Sequence, residues 1–359
     1  MIVGNQQHQR RTNLALVMAH LRRHAGVSRA TLAEATGLTR SAITGLVRML
    51  LDAGLVVEDE TPKAATVGRP SVGLRISPQA PPVLGVELRP RSGAWVVLGM
   101  DGTPRDYGEW EMERRVSLSE GWRLALEHFP TDADAAWGIG VALPATVNPT
   151  TGRIIQSRSF AVNDHPRDAW CPAPIGARVV LENDANALAW GAVGHGDGVI
   201  AVMGRLRDDE PSFRIGTGLI LNGSVFYGHD WGAGEFRSAR WRGSLQKRPG
   251  TDRSTALLAS LEEWLESLGV AISMLRPLRV LYGGDLVDYR DEIETLLTGP
   301  LAGSAVDPAA SCVPVNPVES PTPAVATGAA RMMLERLFAI PSGENQCLAA
   351  VPRWDQLLH

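Results

Sequence analysis

The sequence contains little cysteine, with only Cys171, Cys312 and Cys347 among its 359 residues. Three isolated cysteines form neither a disulfide framework nor a zinc cluster. The longest apolar stretch, residues 135–147, is interrupted by glycine and proline and is too short to cross a bilayer. No charged segment followed by an apolar one opens the chain. We therefore expect a cytoplasmic protein with no membrane partner.

Acidic residues are scarce at the start of the chain, although the chain as a whole is acidic. Residues 1–80 contain ten Lys or Arg and five Asp or Glu, a charge of about +5. Since the whole chain carries −4, residues 81–359 carry about −9. A basic segment joined to an acidic one is typical of a phosphate-binding module attached to a module that does not bind nucleic acid. The change in charge also predicts a domain boundary near residue 80.

Two short helices are predicted within residues 28–51, separated by a turn at Gly37. Ser28 and Thr39 stand where N-cap residues belong, because their side-chain oxygens accept from the free amides of a first turn. Gly37 supplies the left-handed turn that ends the first helix. In the second helix, apolar residues at one-face spacing predict a buried stripe that consists of Ile43, Leu46, Val47, Leu50 and Leu51.

The opposite face of the second helix is polar and has the layout of a DNA recognition helix. Such a helix presents its base-reading groups near the N-terminal end that enters the major groove. The predicted DNA-binding residues of this segment are Thr39, Arg40, Ser41, Thr44 and Arg48. Unrelated helical pairs often match so short a pattern, so the prediction depends on the elements around it.

Those surrounding elements complete a winged helix-turn-helix. Apolar residues spaced over residues 14–21 predict a third helix that closes a small core. After the helix pair, residues 55–58 and 74–76 predict a β hairpin, or wing, whose loop contains Gly68-Arg69-Pro70. An arginine held extended by a following proline fits a narrow minor groove, so we expect Arg69 to contact DNA.

The remainder of the chain alternates apolar runs with helical patterns, which predicts layered α/β units. Strands are predicted at residues 83–88, 94–99 and 137–144 and from residue 179 onwards, with a hairpin turn at Asp101-Gly102.

Short motifs along nearly the whole chain, in a specific order and spacing, resemble the ROK family. This family groups bacterial sugar-responsive repressors with sugar kinases of the actin-like ATPase fold. Besides the winged head and the Gly-Arg-Pro loop, the motifs are residues 138–144 (GIGVALP), 148–152 (NPTTG), 182–186 (ENDAN), 216–218 (GTG), 232–236 (GAGEF), 283–284 (GG) and 328–330 (GAA).

The resemblance implies the fold and the domain organisation. It implies an α/β protein with an N-terminal winged helix-turn-helix, residues 1–80, and a two-lobed actin-like ATPase (ribonuclease H-like) ROK domain, residues 81–359. One lobe would consist of approximately residues 81–190 and a C-terminal helix, and the other of residues 191–325.

By the same resemblance, an effector sugar lies in the cleft between the two lobes. Asn183 and Asp184 would bind its hydroxyl groups and Glu235 would accept from further ones, since a carboxylate accepts from two neighbouring hydroxyls at once. Ser159 and Ser238 stand where the family has a sugar-binding asparagine and histidine. The alternative is that residues 182–184 merely cap a helix that begins at Ala185.

The chain departs from the pattern of ROK kinases at the phosphate-binding turn and at the zinc site. Where the kinases have Asp-x-Gly-x-Thr, this chain has Glu87, Arg89 and Arg91, and the bulky arginines are incompatible with a tight phosphate turn. Ser238 replaces the zinc-binding histidine, and no cysteine cluster follows. We therefore expect no catalytic residue, with Asp184 at a vestigial base position, and neither a metal nor a cofactor.

Together these patterns predict a transcriptional regulator, a repressor of carbohydrate-related genes that forms a homodimer or a dimer of dimers. Its partners would be double-stranded DNA and a sugar or sugar-derivative effector. An alternative is a sugar kinase that phosphorylates a hexose with ATP and keeps Asp184 as its general base. A third hypothesis is a constitutive DNA-binding protein whose body serves only as a dimerisation scaffold.

Overall fold

The fold consists of a helical head followed by two five-stranded sheets, with helices on and between them. The computed structural model describes residues 2–59, 72–130, 136–172, 178–193, 198–206, 212–235, 252–298, 313–318 and 320–339. Among the helices described, none has the length and apolar content that a membrane span requires.

The head is a bundle of three helices closed by a β hairpin. Its elements are α1 (Ile2–Arg23), α2 (Arg29–Thr36), α3 (Arg40–Asp52), β1 (Val56–Asp59) and β2 (Gly73–Ile76). β1 and β2 pair antiparallel as the predicted wing, and an isolated bridge joins Val27 to Leu74. The wing loop, with Arg69 at its predicted tip, lies outside the described residues.

The local signals that predict the head are confirmed. Ser28 Oγ accepts from the amide of Thr31 at 3.1 Å, and Thr39 Oγ1 accepts from the amide of Ala42 at 3.2 Å. Gly37 ends α2 with a φ of +69°, a conformation that costs glycine little. The predicted stripe of α3 is buried except at Leu51, which is only partly covered.

The first sheet of the body lies next in the chain. Its strands and the elements beside it are β3 (Val83–Leu88), β4 (Ser92–Leu98), β5 (Pro104–Glu111), α4 (Leu118–His128), β6 (Gly138–Leu143), β7 (Thr146–Asn148), β8 (Arg153–Ser157), β9 (Val162–Pro166) and β10 (Arg178–Asn183). The sheet order is β10-β6-β3-β4-β5, with β3 parallel to β6 and antiparallel to β4. Every residue of β3 and β6 is buried, because both faces of the sheet are covered.

The second sheet has the order β13-β12-β11-β14-β15. Its strands and helices are α5 (Asp184–Val193), β11 (Val199–Leu206), β12 (Phe213–Leu221), β13 (Ser224–Val225), α6 (Arg253–Leu275), β14 (Arg279–Gly284), α7 (Arg290–Thr298), β15 (Val315–Pro317) and α8 (Ala324–Leu337). Apolar residues of α6 and α7 form one core cluster with residues of β11 and β14. A 3-10 helix, Asp285–Tyr289, joins β14 to α7.

Helices α5 and α8 pack together between the two sheets. A Cβ added at Gly140 of β6 would overlap the carbonyl oxygen of Ala329, and one added at Gly328 would overlap that of Ala187. Glycine at these positions lets α8 approach both the first sheet and α5 at backbone distance. The carboxyl end of β10 continues directly into α5, which places the start of α5 at the cleft between the sheets.

The head packs on the first sheet and on α8. One buried core cluster contains apolar residues of α1, α3 and the wing together with Val83, Ala94 and Leu334. At its edge, the guanidinium of Arg22 in α1 pairs with the carboxylate of Glu335 in α8 and lies 5.5 Å from the ring centre of Phe338. The head therefore contacts the body through α8.

Because α8 lies so close to β6, adding a single methyl group at Gly140 should destabilise the protein. We expect Gly140→Ala to lower the free energy of unfolding by about 1–3 kcal/mol, because the new Cβ would overlap the backbone of α8 at Ala329. A matched control is Gly269→Ala in α6, where a Cβ meets no described atom within 4 Å and where alanine is favoured by about 0.5–1 kcal/mol. Urea unfolding measures both, and equal stability of the two variants would contradict this packing.

Candidate functional site

The polar face of α3 is exposed over its whole length. Thr39, Arg40, Ser41, Thr44 and Arg48 are all exposed, while the apolar face of the same helix forms the core of the head. The structure therefore brings the five predicted DNA-contacting residues of this segment onto one surface. On this surface Arg48 pairs with Asp52, but the Arg48 side chain is 83% exposed and its Nε lies 3.8 Å from the carboxylate. Such an exposed pair is weak, so it holds the Arg48 side chain only loosely.

The hydroxyl groups on this face form hydrogen bonds within α3 and its cap. Thr39 Oγ1 caps the first turn and lies 3.1 Å from Ser41 Oγ, and Thr44 Oγ1 donates to the carbonyl oxygen of Arg40 at 2.8 Å. Such contacts hold hydroxyls against the backbone. The long guanidinium side chains of Arg40 and Arg48 extend farthest from the helix and are the groups best suited to reach a base edge.

A glycine interrupts the polar face at position 45. Glycine inside a helix costs about 0.5–1 kcal/mol relative to alanine. Nothing described lies within 4 Å of the point where a Cβ of Gly45 would stand, so packing within the chain does not require it. The open space in front of Gly45 permits another molecule to approach the backbone of α3 closely.

A second candidate site is the cleft between the two sheets, a cavity of about 460 Å³. Four of the residues predicted to bind an effector line it, namely Ser159, Asn183, Asp184 and Glu235. They come from separate parts of the chain, which only the fold brings together. Ser238 lies outside the described residues.

Asn183 has a structural role at the start of α5. The alternative role given to residues 182–184 was to cap a helix that begins at Ala185; the helix begins one residue earlier, at Asp184, and Asn183 supplies the capping side chain. Asn183 Oδ1 accepts from the amides of Ala185 and Asn186 at 2.9 and 3.1 Å, and its Nδ2 donates to Ala145 O at 3.0 Å.

Asp184 faces the cleft as a buried carboxyl group. Burial raises its pKa to about 6; the charge of Arg205 lowers it in part, and the nearby Glu87 carboxylate raises it further. The side chain is 4% exposed. A carboxyl group with a pKa near neutrality changes its charge within the physiological range.

A compact ion-pair group lies beside Asp184. The guanidinium of Arg205, at the end of β11, donates to the buried Glu87 carboxylate of β3 and lies 3.7 Å from the Asp285 carboxylate. Burial disfavours the charge of Arg205, but the neighbouring carboxylates outweigh this effect and raise its pKa above the ordinary value. Glu87 is also 3.5 Å from Arg89 Nε. One ion-pair group therefore joins the two sheets across the cleft.

Glu182, immediately before the cap, is the centre of another buried network. Its carboxylate accepts from Tyr227 Oη at 2.7 Å and from Asn186 Nδ2 at 3.0 Å, and it lies 3.9 Å from the guanidinium of Arg336. Burial raises the pKa of Tyr227 well above its usual value, and the Glu182 charge adds to this effect, so the phenol remains a donor. The network connects the start of α5 to α8.

Most arginines of the cleft lie outside the motifs that predict the site. Besides Arg89 and Arg91, the cavity is lined by Arg115, Arg158, Arg205 and Arg214, which no motif singles out. The only local indication is that Arg205 ends an apolar strand, a position that often carries functional groups. In the part of the chain that the structure describes, no group of three or more His, Cys, Asp or Glu side chains is arranged to hold a metal ion.

Two curated proteins are similar in sequence to this chain. The xylose repressor of Bacillus subtilis is 24% identical over 250 residues, which cover 66% of this chain and 62% of that protein. The DNA-binding transcriptional dual regulator NagC of Escherichia coli is 25% identical over 273 residues, which cover 70% of this chain and 61% of that protein. The chain thus spans less than two thirds of the length of these relatives. No protein-family model matches it.

Solved structures confirm the predicted fold. A ROK family transcriptional regulator, described as a homologue of the E. coli MLC protein, superposes with a TM-score of 0.70 at 17% identity over 98% of this chain and 99% of its own. A ROK family glucokinase from Streptomyces griseus, in complex with glucose and AMPPNP, superposes with a TM-score of 0.55 at 17% identity over 70% of this chain and 98% of its own. The chain therefore has the fold of a ROK family regulator, with a kinase-like body behind a winged head.

The raised pKa of Asp184 predicts a pH-dependent stability. Because the folded pKa lies above the unfolded one, this group contributes stability below about pH 4, and the contribution is lost as the pH rises through about 6. The difference in unfolding free energy between the wild type and Asp184→Asn should therefore fall by up to about 3 kcal/mol between about pH 4 and pH 7. Urea unfolding of both proteins across this range measures it, and a constant difference would rule out the buried titration.

Proposed function

We propose that the chain is a cytoplasmic DNA-binding transcriptional regulator that represses carbohydrate-related genes. Residues 1–80 form the winged head that reads DNA, and residues 81–359 form the body that senses an effector and dimerises. The exposed polar face of α3 is the observation that carries the proposal, since its opposite face builds the core and both arginines extend outward. The names of the two relatives, a xylose repressor and a DNA-binding transcriptional dual regulator, support a transcriptional regulator.

The head is suited to the major groove of double-stranded DNA. Arg40 at the start of α3 would read a base edge, and Thr39, Ser41, Thr44 and Arg48 would contact bases or phosphates along the groove. Arg69 in the wing would enter the adjacent minor groove. Two heads in a homodimer, or four in a dimer of dimers, would bind half-sites about one helical turn apart or a multiple of that.

The body would sense a sugar or sugar derivative in the cleft. Asp184 and Glu235 would accept from its hydroxyls, with Asn183 and Ser159 beside them and Ser238 as a further candidate. The effector acts only through its differential affinity for two arrangements of the protein, typically about 1–3 kcal/mol. No metal, cofactor or catalytic residue is part of this proposal.

Helix α8 supports a physical connection between the effector cleft and the head. Two adjacent residues of α8 face in different directions, because Arg336 contacts Glu182 beside the cleft and Glu335 pairs with Arg22 of the head. A shift of the start of α5 would therefore reach the head through a single helix. We take α8 as the bistable element whose position the effector biases.

A sugar kinase remains the second candidate because of Asp184. A buried carboxyl group with a pKa of about 6, at the start of a helix facing the cleft, suits a general base. Against this role, the Glu87 and Asp285 carboxylates of the cleft are engaged by Arg205. ATP consumption with a panel of hexoses and amino sugars, compared with Asp184→Asn, separates the two candidates. Turnover that needs Asp184 would favour the kinase.

The proposed recognition helix predicts a specific defect. Arg40→Ala should weaken binding to DNA selected by the protein from a random pool by about 1–3 kcal/mol and should leave binding to unselected DNA nearly unchanged. Fluorescence anisotropy at several salt concentrations measures both. A matched control is Arg123→Ala, an exposed arginine of α4 that pairs with Glu127. Equal losses on both DNAs would mean that Arg40 contacts only phosphate, and no salt-dependent specific binding by the wild type would overturn the proposal.

The connection through α8 predicts local loosening of the head. Glu335→Gln leaves Arg22 without this charged partner, so the amides of the last turn of α1 should exchange with deuterium about fivefold to tenfold faster. Glu127→Gln, which removes an exposed pair with Arg123, serves as the control and should leave α1 unchanged. Unaltered exchange of α1 in Glu335→Gln would show that the pair does not hold the head to α8.

A further inference from the structure

Helix α3 contains a single glycine, Gly45, and it lies on the exposed face of the helix. Glycine destabilises a helix interior relative to alanine, because it loses more backbone freedom on folding. The backbone does not require glycine here, since the φ of Gly45 is not positive. Packing does not require it either, since no described atom lies within 4 Å of the point where a Cβ would stand. The described part of the fold therefore gives no reason for a glycine at this position.

The geometry of the helix places Gly45 between a polar and an apolar border. Residues three and four positions apart are neighbours on a helix surface. On one side of Gly45 these neighbours are Ser41 and Arg48, which are exposed, and on the other side they are Ala42 and Met49, which are half-buried. Gly45 therefore forms a recess on the surface that would face DNA in the proposed function.

The recess offers no hydrogen-bonding group of its own. Position 45 lies inside α3, so its amide and its carbonyl oxygen have their partners along the helix. Gly45 presents only its Cα hydrogens to the outside. Beside it, Thr44 Oγ1 donates its hydrogen to the carbonyl oxygen of Arg40 at 2.8 Å, so this hydroxyl cannot donate to a ligand at the same time. The recess therefore suits an apolar group better than a donor or an acceptor.

In the major groove of DNA, the C5 methyl group of thymine is the apolar group that a base pair presents. The other groups at the base edges there are hydrogen-bond donors and acceptors. A donor or an acceptor placed against Gly45 would lose its water without gaining a partner, which is costly. A methyl group gains free energy when it leaves water. The chemistry of the recess therefore matches thymine.

We propose that Gly45 is a specificity-determining residue, which receives the C5 methyl group of one thymine in each DNA half-site. The missing side chain lets α3 lie closer to this base pair than a Cβ would permit. The inference rests on the proposed function, because it requires the exposed face of α3 to lie in the major groove. It adds a contact made by backbone atoms to the contacts expected from the side chains of this face.

The test compares thymine with deoxyuridine, which lacks only the C5 methyl group. DNA selected by the full chain from a random pool is synthesised with one thymine position at a time replaced by deoxyuridine, and binding is measured by fluorescence anisotropy. At one position of the half-site, the replacement should weaken binding of the wild type about threefold to fivefold for each methyl group removed. Equal affinity for thymine and deoxyuridine at every position would overturn the proposal.

The variant Gly45→Ala connects this methyl group to the recess. Because the new Cβ would occupy the space of the thymine methyl group, the affinity for the selected DNA should fall about tenfold. At the same position, deoxyuridine should now be bound more tightly than thymine, which reverses the preference of the wild type. A preference that does not reverse would show that the methyl group lies elsewhere and would overturn the proposal.

A measurement of stability separates this effect from damage to the head. Because alanine is favoured over glycine in a helix, Gly45→Ala should melt at or above the temperature of the wild type. A lower melting temperature would mean that the fold itself needs glycine here, which would contradict the inference. The matched control is Gly269→Ala in α6, where a Cβ also meets no described atom within 4 Å. This control should keep both the affinity of the wild type for DNA and its preference for thymine.

The measurements also distinguish failure of the proposed function from failure of this inference. A wild-type protein without salt-dependent specific binding to DNA refutes the regulator itself. Specific binding that does not discriminate thymine from deoxyuridine, or that is the same in Gly45→Ala and in the wild type, refutes only the role of Gly45.

Discussion

The close packing of α8 against glycine backbone sets the positions of the first sheet and of α5. At Gly140 and Gly328 the approach leaves no room for even one methyl group. This contact holds α8 against the first sheet and against α5, whose other side covers the second sheet. Protein interiors are packed as densely as crystals, so neighbouring elements have little free space into which to yield. A movement of α8 would therefore also move the elements that pack against it.

In the cleft, ion pairs rather than close packing hold the two sheets together. The buried Glu87 carboxylate would be costly in isolation, but Arg205 crosses from the second sheet to meet it. This ion-pair group joins the two sheets across the cleft. Among the described residues, six arginines also line this cleft.

Much of the head could be predicted from the sequence because its determinants are local. Ser28, Gly37 and Thr39 each act within a few residues of their own position, and the apolar spacing of α3 identifies its buried face without reference to the rest of the chain. The strands of the body were also predicted in outline, since buried strands read as continuous apolar runs. The helix start at residue 184 was placed one residue late, because each of residues 182–184 has a polar side chain and the motif does not reveal which one caps.

The winged head, the basic and acidic halves of the chain, and the order of short motifs that resembles a ROK body could all be read from local sequence patterns. The contacts between charged side chains became visible only in the folded chain. Arg115 and Arg214 converge on Ser159 from positions 44 and 55 residues away, and Arg22 meets Glu335 across 313 residues. Caps and periodicities depend on neighbours along the chain, whereas ion pairs across a cleft depend on loop closure and packing, which no local pattern encodes.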